Sequence, residues 1–197
     1  MPPGTSSTRW VGGKVHARSA YLDGGTIGLD GGRSGTVAVT GTLNASSAQC
    51  GGKINVRGRR VEVGPRALVA ARGKRGGGTI RIGGDPHGKG PGRNADTVVL
   101  APEARILADA TVTGDGGSIV VYGKRTAVID GTLTARGGPR GGDGGFIKTS
   151  AAGSIEVAAD TLVDVSAPAG KDVTVTTADG TPPYGGPIRI PFLNPSR

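Results

Sequence analysis

Aromatic residues make up only 3% of the chain, which holds two Phe, three Tyr and one Trp. A thick core of packed rings is therefore excluded, and any core must be thin and aliphatic. A single cysteine, Cys50, cannot staple the fold, and its neighbours have no metal-ligand spacing. No stretch is long or apolar enough to span a bilayer as a helix. Met1-Pro2-Pro3-Gly4-Thr5 opens without a basic region followed by an apolar run, so the reading is of a chain without a signal peptide, either soluble or a piece of something larger. The low cysteine count does not decide between cytosol and export, because a chain that crosses a membrane unfolded also avoids disulfides.

What the chain has in excess is glycine, 39 of 197 residues. The glycines fall in pairs at regular distance and not in a Gly-X-Y period, which excludes collagen and favours repeated turns. Regularly placed Val, Ile and Leu stand against disorder. Gly116-Gly117-Ser118-Ile119-Val120-Val121, then Thr126-Ala127-Val128, then Leu133-Thr134-Ala135 reads as three short strands separated by tight turns. The same order recurs from Gly51-Gly52-Lys53-Ile54 and from Gly77-Gly78-Thr79-Ile80. The first-strand positions are Ile27, Ile54, Ile80, Ile119, Ile147 and Val173, at a period of about 26 to 28 residues broken by one insertion of about a dozen. A third aliphatic position runs Leu43, Leu68, Ile106, Leu133 and Val163, followed two residues on by Ala45, Ala70, Ala108, Ala135 and Val165.

Three strands per period without a helical segment predict an all-β fold, a single right-handed parallel β-helix of about five to six coils. Equivalent strands should stack at ~4.8 Å, so that inward Ile meets Ile in continuous ladders. The Gly-Gly pairs should stack at one corner, where glycine permits positive φ. Residues 1–20 form an N-terminal lead-in, 21–177 the helix, and 178–197 a Pro-rich tail or partial edge coil. The insertion, Gly83 to Asn94, is rich in Gly, Pro and Asn and should hang from a corner as a loop dispensable to folding.

Gly83-Gly84-Asp85 with Gly88, Ala104-Arg105-Ile106-Leu107-Ala108-Asp109-Ala110, Gly114-Asp115-Gly116-Gly117, Ala135-Arg136-Gly137-Gly138, Gly141-Gly142-Asp143-Gly144-Gly145-Phe146-Ile147 and Val163-Asp164-Val165-Ser166-Ala167 resemble the passenger repeats of filamentous haemagglutinin-like adhesins. These are bacterial exoproteins of the two-partner secretion pathway, and the resemblance runs from about Gly24 to Gly170. It implies a right-handed parallel β-helix, export through an outer-membrane transporter, adhesion, and a secreted or cell-surface location. The chain lacks the family's Asn-Pro-Asn-Gly type motif, and Lys148 stands where the family usually has an acidic residue.

The formal net charge is +9, and the excess is local. In repeat register Arg59 and Arg60 match Lys124 and Arg125, with Lys89 and Arg93 of the insertion in the coil between. A second corner should carry Arg72, Lys74, Arg75, Arg136 and Arg140. Such stripes suit a linear polyanion, whose carboxylate or sulfate groups Arg takes bidentately. Host or bacterial surface polysaccharide is the expected partner. Specific nucleic-acid binding is not expected, because the aromatic residues that stack on single-stranded bases are nearly missing. The blander account is that these charges keep a glycine-rich rod soluble. The alternative reading is a carbohydrate-active β-helix enzyme, a lyase or hydrolase, with Asp115 and Asp143 as the nearest approach to paired acids. Turn formation explains those two aspartates better, so no catalytic residue, metal or cofactor is expected and the chain is read as a non-enzyme.

Overall fold

The structure, a computed structural model, describes residues 24–171 and the backbone of the strand β1, Lys14–Tyr21. The expectations on Val173 and the Pro-rich tail lie outside the described residues. Fourteen strands join one sheet in which every pairing is parallel. The sheet winds as a parallel β-solenoid of five coils with three faces.

The first face is β2 (Thr26–Asp30), β4 (Lys53–Arg57), β7 (Thr79–Ile82), the start of β10 (Ser118–Ile129) and β12 (Phe146–Ala151). The second holds the start of β3 (Thr36–Asn44), then β5 (Arg60–Val63), β8 (Ala95–Leu100), the end of β10 and β13 (Ser154–Val157). The third holds the end of β3, β6 (Leu68–Ala70), β9 (Arg105–Leu107), β11 (Thr132–Thr134) and β14 (Leu162–Asp164). Strand β1 pairs along the whole of β3, so the sheet begins within the residues expected as a lead-in.

The ladders follow the sequence pattern. Ile27, Ile54, Ile80, Ile119 and Ile147 are in direct register and buried. Val37, Val61, Val98, Ala127 and Ile155 form the second ladder. The third is Leu43, Val69, Ile106, Leu133 and Val163. Here the expectation slips by one residue, since Val69 and not Leu68 takes the inward place, and Ala71 and not Ala70 follows it. Leu68 and Val69 are adjacent aliphatics in a strand of three residues, so alternation alone could not choose between them. Each fully buried Ile or Leu in these ladders contributes about 1.5–3 kcal/mol.

The glycine pairs do stack at one corner, but for another reason than positive φ. Neither member of the pairs Gly51-Gly52, Gly77-Gly78 and Gly116-Gly117 has positive φ. The constraint is room. A Cβ at Gly51, Gly77 or Gly116 would lie 2.0, 1.9 or 2.0 Å from the carbonyl oxygen of Ala71, Ala108 or Ala135 in the following coil. The second glycine of each pair is as tightly held, with a Cβ at Gly78 falling 2.2 Å from Gly52 O and one at Gly117 falling 2.1 Å from Gly78 O. The close approach lets each coil shut on itself: Gly52, Gly78, Gly117 and Gly145 donate N–H to Ala45, Ala71, Ala108 and Ala135 O, all at 2.7 Å.

Two neighbouring glycines test this directly. A Cβ at Gly76 meets nothing nearer than Cys50 Sγ at 3.4 Å, whereas at Gly77 it strikes backbone. Gly77→Ala should cost about 3 kcal/mol or more in urea unfolding, and Gly76→Ala less than about 1 kcal/mol. Equal costs would remove the steric explanation of the corner.

Candidate anion-binding groove

The corner between the first and second faces is built from short turns in coils one and two. Asp30 Oδ1 accepts the Gly32 N–H at 2.8 Å, an Asx turn that projects Arg33. Arg59 follows on the next coil, its N–H bonded to Gly35 O at 2.9 Å, and its own carbonyl accepts the Asp96 N–H at 2.7 Å. In the fourth coil β10 passes the corner without a break, and its register against β8 shifts between Gly123 and Thr126. Lys124 and Arg125 therefore stand opposite the single residue Asp96, as in a β-bulge.

The third coil carries the insertion, which leaves at this corner but does not hang free. The Ala95 N–H bonds Gly83 O at 2.6 Å and brings the ends together. Asp85, only 3% exposed, is the anchor. Its Oδ2 accepts Arg57 Nη2 at 3.0 Å, and its Oδ1 accepts Arg81 Nη1 at 2.6 Å. The returning limb lies directly on these charges: a Cβ at Gly90 would sit 2.1 Å from Asp85 Oδ2, and one at Gly92 would overlap the Arg57 guanidinium. A 3-10 turn at Pro86–Gly88 folds over the outside of β10 and β12, where Lys148 Nζ donates to His87 Nε2 at 2.8 Å. Beneath it the outward residues Val120, Tyr122, Lys148 and Ser150 are all buried.

Between this limb and the corner turns runs a groove of about 390 Å³. Arg33, Arg59, Arg93 and Lys124 line it, with Asp96 and Asn94 as further polar groups and Gly32, Gly58, Gly90 and Gly92 in its walls. Among the described residues none of these four cations makes an ion pair, whereas Arg57, Arg60, Arg66, Arg81 and Arg136 each do. The groove can therefore offer guanidinium forks and an ammonium to an anion with no internal partner to displace.

Of the residues expected at the first corner, the structure brings Arg59, Arg93 and Lys124 into this groove. Arg60 is engaged with Glu62, while Lys89 and Arg125 are exposed outside the lining. Arg33 was not anticipated, although it stands at the same distance from Ile27 as Arg60 does from Ile54. Asp85 was also missed, and no local signal marks it, because one partner comes from the preceding coil. A sign of the covered outer face was present in Val120 and Tyr122, which break the expected outward polarity of β10.

At the second corner Arg72, Lys74 and Arg75 lie in the β6–β7 connection, and Arg136 and Arg140 in that between β11 and β12. Val112 and Thr113 bridge the two, with Thr113 N–H on Lys74 O at 2.8 Å and Arg140 N–H on Val112 O at 2.9 Å. Arg136 is not free there. Its backbone N–H and its guanidinium both bond Asp109, and Asp164 lies 4.0 Å away. The Asp109 hydrogen bond, together with the charges of Asp109 and Asp164, holds the guanidinium pKa above its ordinary value against the cost of partial burial. Asp115 and Asp143 are also in structural use: Asp115 Oδ1 accepts the Asp143 N–H, and Asp143 Oδ1 the Lys171 N–H, each at 2.8 Å.

The fold and groove define a parallel β-solenoid with a cation-lined groove at one corner. Among solved structures the chain is similar in fold to the HMW1 secretion domain from Haemophilus influenzae, with a TM-score of 0.59 and 24% identity. The alignment covers 84% of this chain and 49% of that one, so the chain spans about half the length of the solved structure it matches. No protein family and no curated protein sequence matches the chain. The resemblance read from the sequence lay in passenger repeats, whereas the likeness in fold is to a secretion domain.

Asp85→Asn should keep the shape of the anchor but leave Arg57 and Arg81 without their charge partner. Arg57 is the more buried of the two, and exposure of Arg81 discounts the loss, so about 2 kcal/mol is expected in denaturant unfolding with β circular dichroism unchanged. Unchanged stability would mean that the insertion is not fastened by this cluster.

Proposed function

We propose that the chain is a structural and adhesive segment of a secreted or surface-exposed bacterial adhesin of the two-partner secretion type. In this reading it leaves the cell through an outer-membrane transporter, and its basic corner takes polyanionic surface glycans. One observation carries the reading: a scaffold similar in fold to a secretion domain lines one groove with four cations that make no ion pair among the described residues. Export would suit a fold assembled from one repeated coil, because each coil adds to the edge of the last. Among the described residues no helix is long and apolar enough to cross a membrane.

Two observations favour glycan over the enzymatic alternative. The acids on which an enzyme would draw, Asp115 and Asp143, each accept a backbone N–H of the following coil. The groove instead gathers cations with a single carboxylate, Asp96. Arginine in a groove of this kind recognises sulfate or carboxylate bidentately.

The test holds net charge fixed and varies only arrangement. Changing Arg33, Arg59, Arg93 and Lys124 together to Gln should weaken retention on an immobilised sulfated polysaccharide. The loss should exceed that for four scattered charges outside the groove, Lys14, Lys53, Arg105 and Lys171, changed likewise. Retention of the parent should fall as salt shortens the screening length below ~10 Å. Equal elution shifts for the two variants would leave solubility as the better account of the charge.

A further inference from the structure

The groove holds more than a stretch of positive surface, because cations from four successive coils line one half-open cleft. Arg33, Arg59 and Lys124 belong to coils one, two and four, and Arg93 comes from the insertion in coil three. All four are exposed and unpaired among the described residues, so each can turn toward a shared ligand. A single carboxylate, Asp96, sits in the same lining without an ion-pair partner there. The lining is thus strongly cationic, with one point that rejects an anion and asks for a hydrogen-bond donor.

We infer that the groove is a site for a phosphomonoester carried on a sugar, a deepening that rests on the glycan-binding reading above. Two features select this chemistry. A phosphomonoester carries up to two charges near neutral pH, where a sulfate or carboxylate carries one, and it offers three acceptor oxygens. Its second charge therefore gains more from several guanidinium forks and the Lys124 ammonium together than a singly charged sulfate does. Sugar hydroxyls beside the phosphate can donate to Asp96, and a bare anion has no donor to offer it. The volume of about 390 Å³ suits a ligand of that size and not a folded partner. Glycines at 32, 58, 90 and 92 leave the walls low enough for close approach of the ligand. The insertion forms one of those walls because Asp85 seats Gly90 and Gly92 on the buried charge cluster.

The test uses the full chain in calorimetric titration at pH 7.5 with glucose 6-phosphate and glucose 6-sulfate. Glucose 6-phosphate should bind one to one and at least tenfold more tightly than the sulfate. The affinity should fall as the phosphate dianion takes up a proton and becomes a monoanion below about pH 6. The double variant Arg33→Gln, Arg93→Gln should lose at least tenfold in affinity. A control variant at the other corner, Arg72→Gln with Lys74→Gln, should bind like the parent, and thermal unfolding of both should match the parent's. Vesicles bearing a phosphorylated glycolipid, compared with the same vesicles after phosphatase treatment, distinguish a membrane source from a free sugar phosphate; capture only before treatment assigns the lipid-borne form. Equal binding of phosphate and sulfate, or a double variant that binds like the parent, would overturn the inference. Retention on the sulfated polysaccharide, run in parallel, separates the two failures. Retention without sugar-phosphate binding overturns this site alone, and loss of both overturns the glycan reading itself.

Discussion

Every feature of this protein depends on how closely one coil can lie on the next. Parallel strands stack at ~4.8 Å, and a turn between strands has to fit within the same spacing if the ladders are to continue. At the corner between the third and first faces that leaves no room for a Cβ, since a side-chain carbon there would fall about 2 Å from a carbonyl oxygen. Glycine pairs are the solution, repeated from coil to coil. With the corner shut, the aliphatic ladders line up and a thin core without aromatic rings becomes sufficient.

The other corners show what the spacing allows when it is relaxed. Between the first and second faces the third coil can carry an insertion, and the fourth can carry one residue extra, without disturbing the ladders on either side. The insertion is then fixed by a small charge cluster whose acid, Asp85, is buried and whose two arginines come from the first face. Fixing the loop creates the groove. Of the four cations that line it, Arg33, Arg59 and Lys124 are spaced by the solenoid itself and Arg93 by the insertion.

Much of the fold was legible in the sequence because the repeat carries its own register. Ile27 through Ile147 could be aligned by period alone, and Arg59 with Lys124 followed from the same alignment. Register was ambiguous only where two aliphatics adjoin, at Leu68 and Val69. The reason for the glycines was not legible: a pair of glycines looks the same whether it serves positive φ or close approach, and only the positions of Ala71 and Ala108 in the next coil distinguish them. Asp85 could not be found for a similar reason, because its role is set by Arg57 one coil earlier. Arg33 was within reach of the register argument, had it been carried back to the first coil.

Each of the first four coils is shut by a glycine N–H donated to the alanine carbonyl of the same coil, and the stack stands on these bonds. Native-state hydrogen exchange of the Gly78 and Gly117 amides, which lie in the middle coils, measures this most directly. The account predicts that both exchange only through global unfolding, with an opening free energy equal to that from urea denaturation. Exchange of either amide at the rate of an unprotected peptide, while the Ile80 and Ile119 amides stay protected, would contradict it.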